Sequence, residues 1–182
     1  MTVAVSTVTS MYDLADSLLN AVAAAMATTD GGAPDRQFVA LGAPVWDTMC
    51  SQACVQMPSL TEAATRDNSP ALQPADRHSR GSVNLIGMTA YAIRCIESSQ
   101  DNSQNYMPPD DAQLSREAKI GYEDGWAIWN YVKRSINNGT LFGGPCGFVY
   151  FDGGVPVTPA GGLGGFQFTC RVELGGYDPT GS

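Results

Sequence analysis

Residues 82–97 read SVNLIGMTAYAIRCIE, and both parities of this stretch are apolar. Val83, Leu85, Tyr91, Ile93 and Cys95 share one parity, and Ile86, Met88, Ala90, Ala92 and Ile96 share the other. Successive side chains of a strand point to opposite faces, so a strand apolar on both must be covered on both. The cover comes from the protein's own helices or from another subunit. This segment therefore predicts a central strand.

Downstream, Ser98 to Asn105 is a polar break rich in Ser, Gln and Asn. Pro108, Pro109, Asp110 and Asp111 then open the longest predicted helix, with carboxylates placed against the positive end of its dipole. Leu114, Ala118, Gly121, Gly125, Ile128, Val132 and Ile136 recur at spacings of three and four, along one face with Trp129. The small members Ala118, Gly121 and Gly125 would admit a sheet at close range. Lys133 and Arg134 suit the negative terminus, and Asn137, Asn138 and Gly139 stop the helix. The carboxyl end reads as a hairpin: Gly147 to Asp152, a connection rich in glycine and proline, then Phe166 to Leu174. In that second arm Phe166, Phe168, Cys170, Val172 and Leu174 alternate with Gln167, Thr169, Arg171 and Glu173. Residues 175–182 read as a loose tail.

Upstream, Leu14, Leu18, Val22 and Met26 recur every fourth residue after Ser10 and Asp13, which have capping-box spacing. This predicts an amphipathic helix that stops by Gly31 and Gly32, with an alanine run from Ala23 to Ala27 that lets a neighbour approach. Short strands are predicted from Gln37 to Gly42 and from Ala53 to Met57, with a turn between them anchored by Trp46. Ser59 to Arg80, interrupted by Asn68, Ser69, Pro70 and Pro74, reads as a long loop or arm. The whole chain, residues 1–182, is expected to form a single α+β domain: a mixed, mostly antiparallel sheet packed against two main helices, with long loops.

Composition supports that size of fold. With 182 residues and 43% hydrophobic content, the chain is expected to bury a core without help from metals or disulfides. Its net charge of −8, with only 10 Lys and Arg and no basic stripe, argues against direct nucleic-acid binding. Residues 1–10 lack a basic residue and a long apolar run, and no apolar segment reaches the roughly 18–20 residues of a membrane helix, so a soluble protein is expected. The five cysteines, Cys50, Cys54, Cys95, Cys146 and Cys170, are an odd number without an export signal, which suggests a reducing compartment.

No catalytic, metal or cofactor site is predicted. His78 is the only histidine, set in a polar loop without a nucleophile elbow, so it reads as solvated. Cys50 and Cys54 could begin a zinc site, but no second paired spacing completes one. The run Gly161, Gly162, Leu163, Gly164, Gly165 lacks the Lys and Ser or Thr of a phosphate loop and precedes a strand, so it reads as a flexible turn. Asn138, Gly139 and Thr140 match a glycosylation sequon but are explained by the end of a helix. Asp110 with Asp111 reads as a helix cap, and Glu123 with Asp124 as a solvated helix face.

The order of elements, with the stretches LADSLLNAV, GSVNLIGMTAYAIRCIE, EDGWAIWNYV and GGLGGFQFTCRVEL, resembles the tail terminator proteins of long-tailed (siphovirus-type) phages of actinobacteria. The resemblance spans most of the chain through patterns of hydrophobicity and glycine. It implies a homo-oligomeric ring, usually a hexamer, on the last ring of the tail-tube protein, which stops polymerisation and presents the surface for the head-to-tail connector. It also implies assembly in the host cytoplasm, a place in the virion tail near the neck, DNA passing through the lumen without sequence-specific binding, and no catalytic residue or cofactor. The polar stretches from Asp67 to Arg80 and from Ser98 to Asn105 exceed the pattern of many relatives. A head-to-tail stopper is the alternative within the same class, and a small α+β ligand-binding protein or enzyme the alternative outside it. Exposed aromatics and arginines are the usual anchors of interfaces, which nominates Trp46, Arg77, Arg80, Trp126 and Trp129 as contact residues.

Overall fold

The computed structural model describes residues 11–47, 49–63, 83–96, 110–142, 149–160 and 162–174. The elements run α1 (Met11–Met26), β1 (Arg36–Ala40), β2 (Ser51–Ala63), β3 (Val83–Cys95), α2 (Asp111–Asn137), β4 (Val149–Phe151), β5 (Val155–Ala160) and β6 (Leu163–Leu174). The strands form one sheet in the order β1-β2-β3-β6-β4, and β5 also pairs with β6. Only β1 and β2 are parallel; the other pairings are antiparallel. The predicted class is thus the observed one, α+β with a mixed, mostly antiparallel sheet and two main helices.

β3 lies at the centre of the sheet, between β2 and β6. On its front face Ile86, Met88, Ala90 and Ala92 join the core beneath the helices, beside Ala53 and Val55 of β2 and Phe168, Cys170 and Val172 of β6. From α1 the periodic Leu14, Leu18, Val22 and Met26 enter that core, with Ala15, Ala21 and Ala25 letting the helix lie close. Fully burying each large aliphatic side chain contributes about 1.5–3 kcal/mol, so this face accounts for most of the stabilisation. Phe142 also enters the core, at φ +68, and its N–H donates to Ser17 Oγ of α1 at 3.1 Å.

The back of β3 is covered differently. Two adjacent parallel strands need a return connection, and here the strap between Ala40 and Ser51 supplies it, its described residues, 41–47 and 49–50, being without regular structure. Trp46 packs edge-on against Tyr91 of β3 at 5.6 Å and against Phe38 of β1 at 6.0 Å. Both rings have the parity opposite to the buried front face, so the strap crosses the back of the sheet. Arg36 holds it through Asp47, at 3.0 Å, and through the Val45 carbonyl, also at 3.0 Å. The Gln52 amide donates to the carbonyls of Asp47 and Met49 at 3.2 and 2.9 Å. Neither a helix nor another subunit is needed over Tyr91.

Several expectations are corrected. β2 continues through Ala63, so the stretch read as a loop from Ser59 begins as strand; a register shift between Gln56 and Ser59 absorbs Pro58, and pairing with β3 then resumes. The rest of that loop, through Arg80, lies outside the described residues, as do Ser10, Ser98 to Asn105 and the tail 175–182. Within α2, Leu114 and Ala118 are exposed, and the buried positions are Asp124, Gly125, Ile128 and Val132. The apolar stripe therefore meets the core only along its second half.

The carboxyl-terminal connection holds an additional strand, β5, whose Val155 faces Gln167 and whose Pro156 faces Phe166 in register. Within the glycine run Gly162 is a turn (φ +79), while Gly164 and Gly165 already belong to β6. A side chain at Gly165 would place a Cβ 1.9 Å from the Ala92 carbonyl oxygen, so the strand needs glycine there to lie against β3. Cys50 and Cys95 form a disulfide, a cross-link that the reading of a reducing compartment and of a core without disulfides did not foresee. Ser51 is paired with Arg94, which sets Cys50 directly opposite Cys95 at the end of the β2–β3 ladder.

Candidate interaction surface

α2 is set by its caps. Asp110 accepts from the Ala112 N–H at 3.3 Å, Asn138 closes the far end and Gly139 follows at φ +66. Two very different sites lie within one turn of this helix, and both depend on where its second half meets the sheet.

The first is a buried polar knot. Asp124, 2% exposed, receives a bidentate pair from Arg94 of β3: Nε to Oδ2 at 2.7 Å and Nη2 to Oδ1 at 3.1 Å. The remaining Arg94 protons go to the carbonyls of Gly31 and Gly32, each at 2.8 Å, and to Ser51 Oγ. The Thr29 hydroxyl lies 2.5 Å from Asp124 Oδ1. All five guanidinium donors are used, as a buried charge requires. The knot ties the end of α1 to β2, β3 and α2. It overturns the reading of Asp124 as part of a solvated helix face; only its neighbour Glu123 is solvated, in a pair with Lys119. Arg94 shares a parity with Ala90 and Ala92, and an arginine on the buried side of an apolar strand is the signal that could have found it.

The second is an aromatic groove of about 270 Å³, lined by Tyr122, Gly125, Trp126 and Trp129 of α2, Gly154, and Phe166 and Phe168 of β6. Its rings form a continuous array: Tyr122 meets Phe166 edge-on at 5.6 Å, Phe166 and Phe168 stack at 6.3 Å, and Phe168 stacks on Phe151 at 5.5 Å. Trp129 stacks on Phe151 at 5.6 Å, and Lys133 lies 4.6 Å over the Trp129 ring. Glycine keeps the groove open, because a Cβ at Gly154 would fall 2.5 Å from Phe168 and one at Gly125 would fall 3.2 Å from Phe166. Trp126 is 69% exposed and Tyr122 66% exposed, although each sits on a rigid element.

The nominated contact residues separate. Trp126 and Trp129 line this groove. Trp46 is an internal anchor of the strap, half-buried between Phe38 and Tyr91. Arg77, Arg80 and His78 lie outside the described residues. Sequence reasoning missed Tyr122, Phe166 and Gly154, because only the fold brings them together. It also missed Leu41, Val45 and Met49, which the strap leaves 89%, 73% and 47% exposed. Among the described residues no cluster of three His, Cys, Asp or Glu side chains could hold a metal ion, and no helix is long and apolar enough to cross a membrane. No protein-family model matches the chain, and no curated protein matches it significantly by sequence.

Proposed function

We propose that the chain is a structural protein of phage tail assembly: a tail terminator that forms a ring on the end of the tail tube, stops its growth and offers the surface to which the head joins. The observation that carries this reading is the groove on α2, where Trp126 and Tyr122 stand largely exposed on a rigid helix beside the sheet edge. Large aromatics held in water by rigid elements are the composition of interface anchors. A second apolar surface on the strap supports assembly rather than a single pairing, because a ring needs two different complementary faces on each subunit. The net charge of −8 suits a conduit along which DNA must slide without sticking. The likeness of the chain's element order and glycine-rich stretches to tail terminators supplies the particular role.

The test is to add the purified protein to polymerising tail-tube protein and to measure tube length by negative-stain imaging, with light scattering of the protein alone. The expected result is shortened tubes carrying a distinct ring at one end. Tubes of unchanged length with bare ends would overturn the terminator reading. A ring that binds head-side connector particles while leaving tube growth unchanged would assign the protein to the stopper class instead.

A further inference from the structure

We infer that the strap of one copy seats in the aromatic groove of the next, with Leu41, Val45 and Met49 covering Tyr122 and Trp126, so that neighbouring subunits overlap like roof tiles. This rests on the self-assembly reading above but not on the identity of the tube. The strap lies on the back of the sheet, running from the end of β1 to Tyr91 of the central strand, and the groove lies on its front beside β6. Surfaces on opposite faces of the sheet cannot meet within one chain. Between two copies they meet head to tail, and each added copy leaves one of each surface open, which is the condition for a ring or filament.

The areas match. Tyr122 and Trp126, 66% and 69% exposed, present on the order of 300 Å² of aromatic surface. Leu41, Val45 and Met49, at 89%, 73% and 47%, present a similar area. Together they form an apolar centre of roughly a third to a half of the ~1,200–2,000 Å² buried by stable interfaces, leaving the remainder to a polar rim. A symmetric groove-to-groove dimer would bury the tryptophans but leave Leu41, the most exposed large apolar residue described, in water.

The inference is tested with two variants, Leu41→Ser with Val45→Ser in the strap and Trp126→Ala in the groove, each checked for native circular dichroism and an unchanged melting midpoint. By light scattering across a concentration series, wild-type protein is expected to grow beyond a dimer. Each variant alone should require on the order of tenfold or more concentration to associate. An equimolar mixture of the two should form a dimer and stop, because only one intact strap and one intact groove remain. A strap variant that still dimerises alone, a mixture that stays monomeric, or wild-type protein that is monomeric at its solubility limit would each overturn the pairing. The last result leaves tube capping to be judged separately by the tube-length assay.

Discussion

Asp124 and Trp126 are two residues apart on α2 and have opposite environments. Asp124 is a charge enclosed by protein, 2% exposed, with each carboxylate oxygen occupied; Trp126 is a large apolar side chain left 69% in water. Each departs from what its chemistry prefers, but only the first departure is compensated within the chain. The knot therefore belongs to folding. The groove is left for something outside the subunit, and perturbing the two sites should separate stability from assembly.

The largest effect is expected at the knot. Arg94→Ala leaves the Asp124 carboxylate buried and unpaired, which costs about 3–5 kcal/mol, against a total stability of about 5–15 kcal/mol for an ordinary domain. Urea unfolding should show a large drop in midpoint, or an unfolded chain. Arg94→Met combined with Asp124→Leu removes both charges and should recover most of that loss, since Gly31 and Gly32 are only half-buried residues whose carbonyls water can reach once the guanidinium is gone. If the double variant is as unstable as the single one, the knot contributes through its geometry and not through charge compensation.

The knot also shows where sequence reading stops. The two helices and the central strand were legible because each carries an unbroken period: Leu14 to Met26 every fourth residue, and Ile86 to Ala92 every second. Extending α2's apolar stripe back to Leu114 failed because periodicity reports which residues could face a core, not how far the core extends. β5 was missed because Pro156 argues against a strand, although the structure admits it on the exposed edge of the sheet. Of the groove, Trp126 and Trp129 were legible from residue type alone. Tyr122, Gly154 and Phe166 were not, since they become neighbours only when α2 lies across β6. Trp46 was legible as the anchor of its turn, but its partners Phe38 and Tyr91 were not: the parallel β1–β2 pairing, which sends the strap across the back of the sheet, leaves no local mark on the sequence.

The strap provides the next test. Its disulfide, Cys50–Cys95, closes a loop with a sequence separation of 45, and a cross-link of that span contributes about 2–4 kcal/mol. Cys50→Ala with Cys95→Ala, or reduction by a dithiol, should lower the melting midpoint. It should also weaken self-association, because the cross-link fixes the end of the segment that presents Val45 and Met49. The Arg94–Asp124 pair is expected to survive, so the loss should be smaller than that of Arg94→Ala. A reduced protein that melts and assembles as the oxidised one does would show that Trp46 and Arg36 hold the strap unaided.

A smaller, pH-dependent effect is expected behind the strap. Burial raises the Cys54 thiol from 9.0 to about 11, and Arg36 offsets this only in part. Below pH 9 both folded and unfolded chains keep the proton. Between pH 9 and 11 the unfolded chain releases it while the folded chain does not, so this group lowers stability as pH rises, by at most about 1.4 kcal/mol per pH unit. Comparing the slope of stability against pH in this window for the wild type and for Cys54→Ala isolates the thiol. Equal slopes would mean that the site is open to water.

Trp126→Ala is expected to have the smallest effect on folding and the decisive one on assembly. The removed ring is mostly solvated, so the unfolding free energy should stay within about 0.5 kcal/mol of wild type, while association weakens on the order of tenfold or more. Tyr122→Ala, at nearly the same exposure, should behave likewise. A loss well above 1 kcal/mol would place Trp126 among the rings that cover Phe166 and Phe168, where truncation leaves a cavity. In that case the groove would be part of the core's roof, and its contrast with the knot would be one of degree. Unchanged stability with lost association would instead mean that α2 carries two separable tasks two residues apart, with Asp124 holding the subunit together and Trp126 holding subunits to one another.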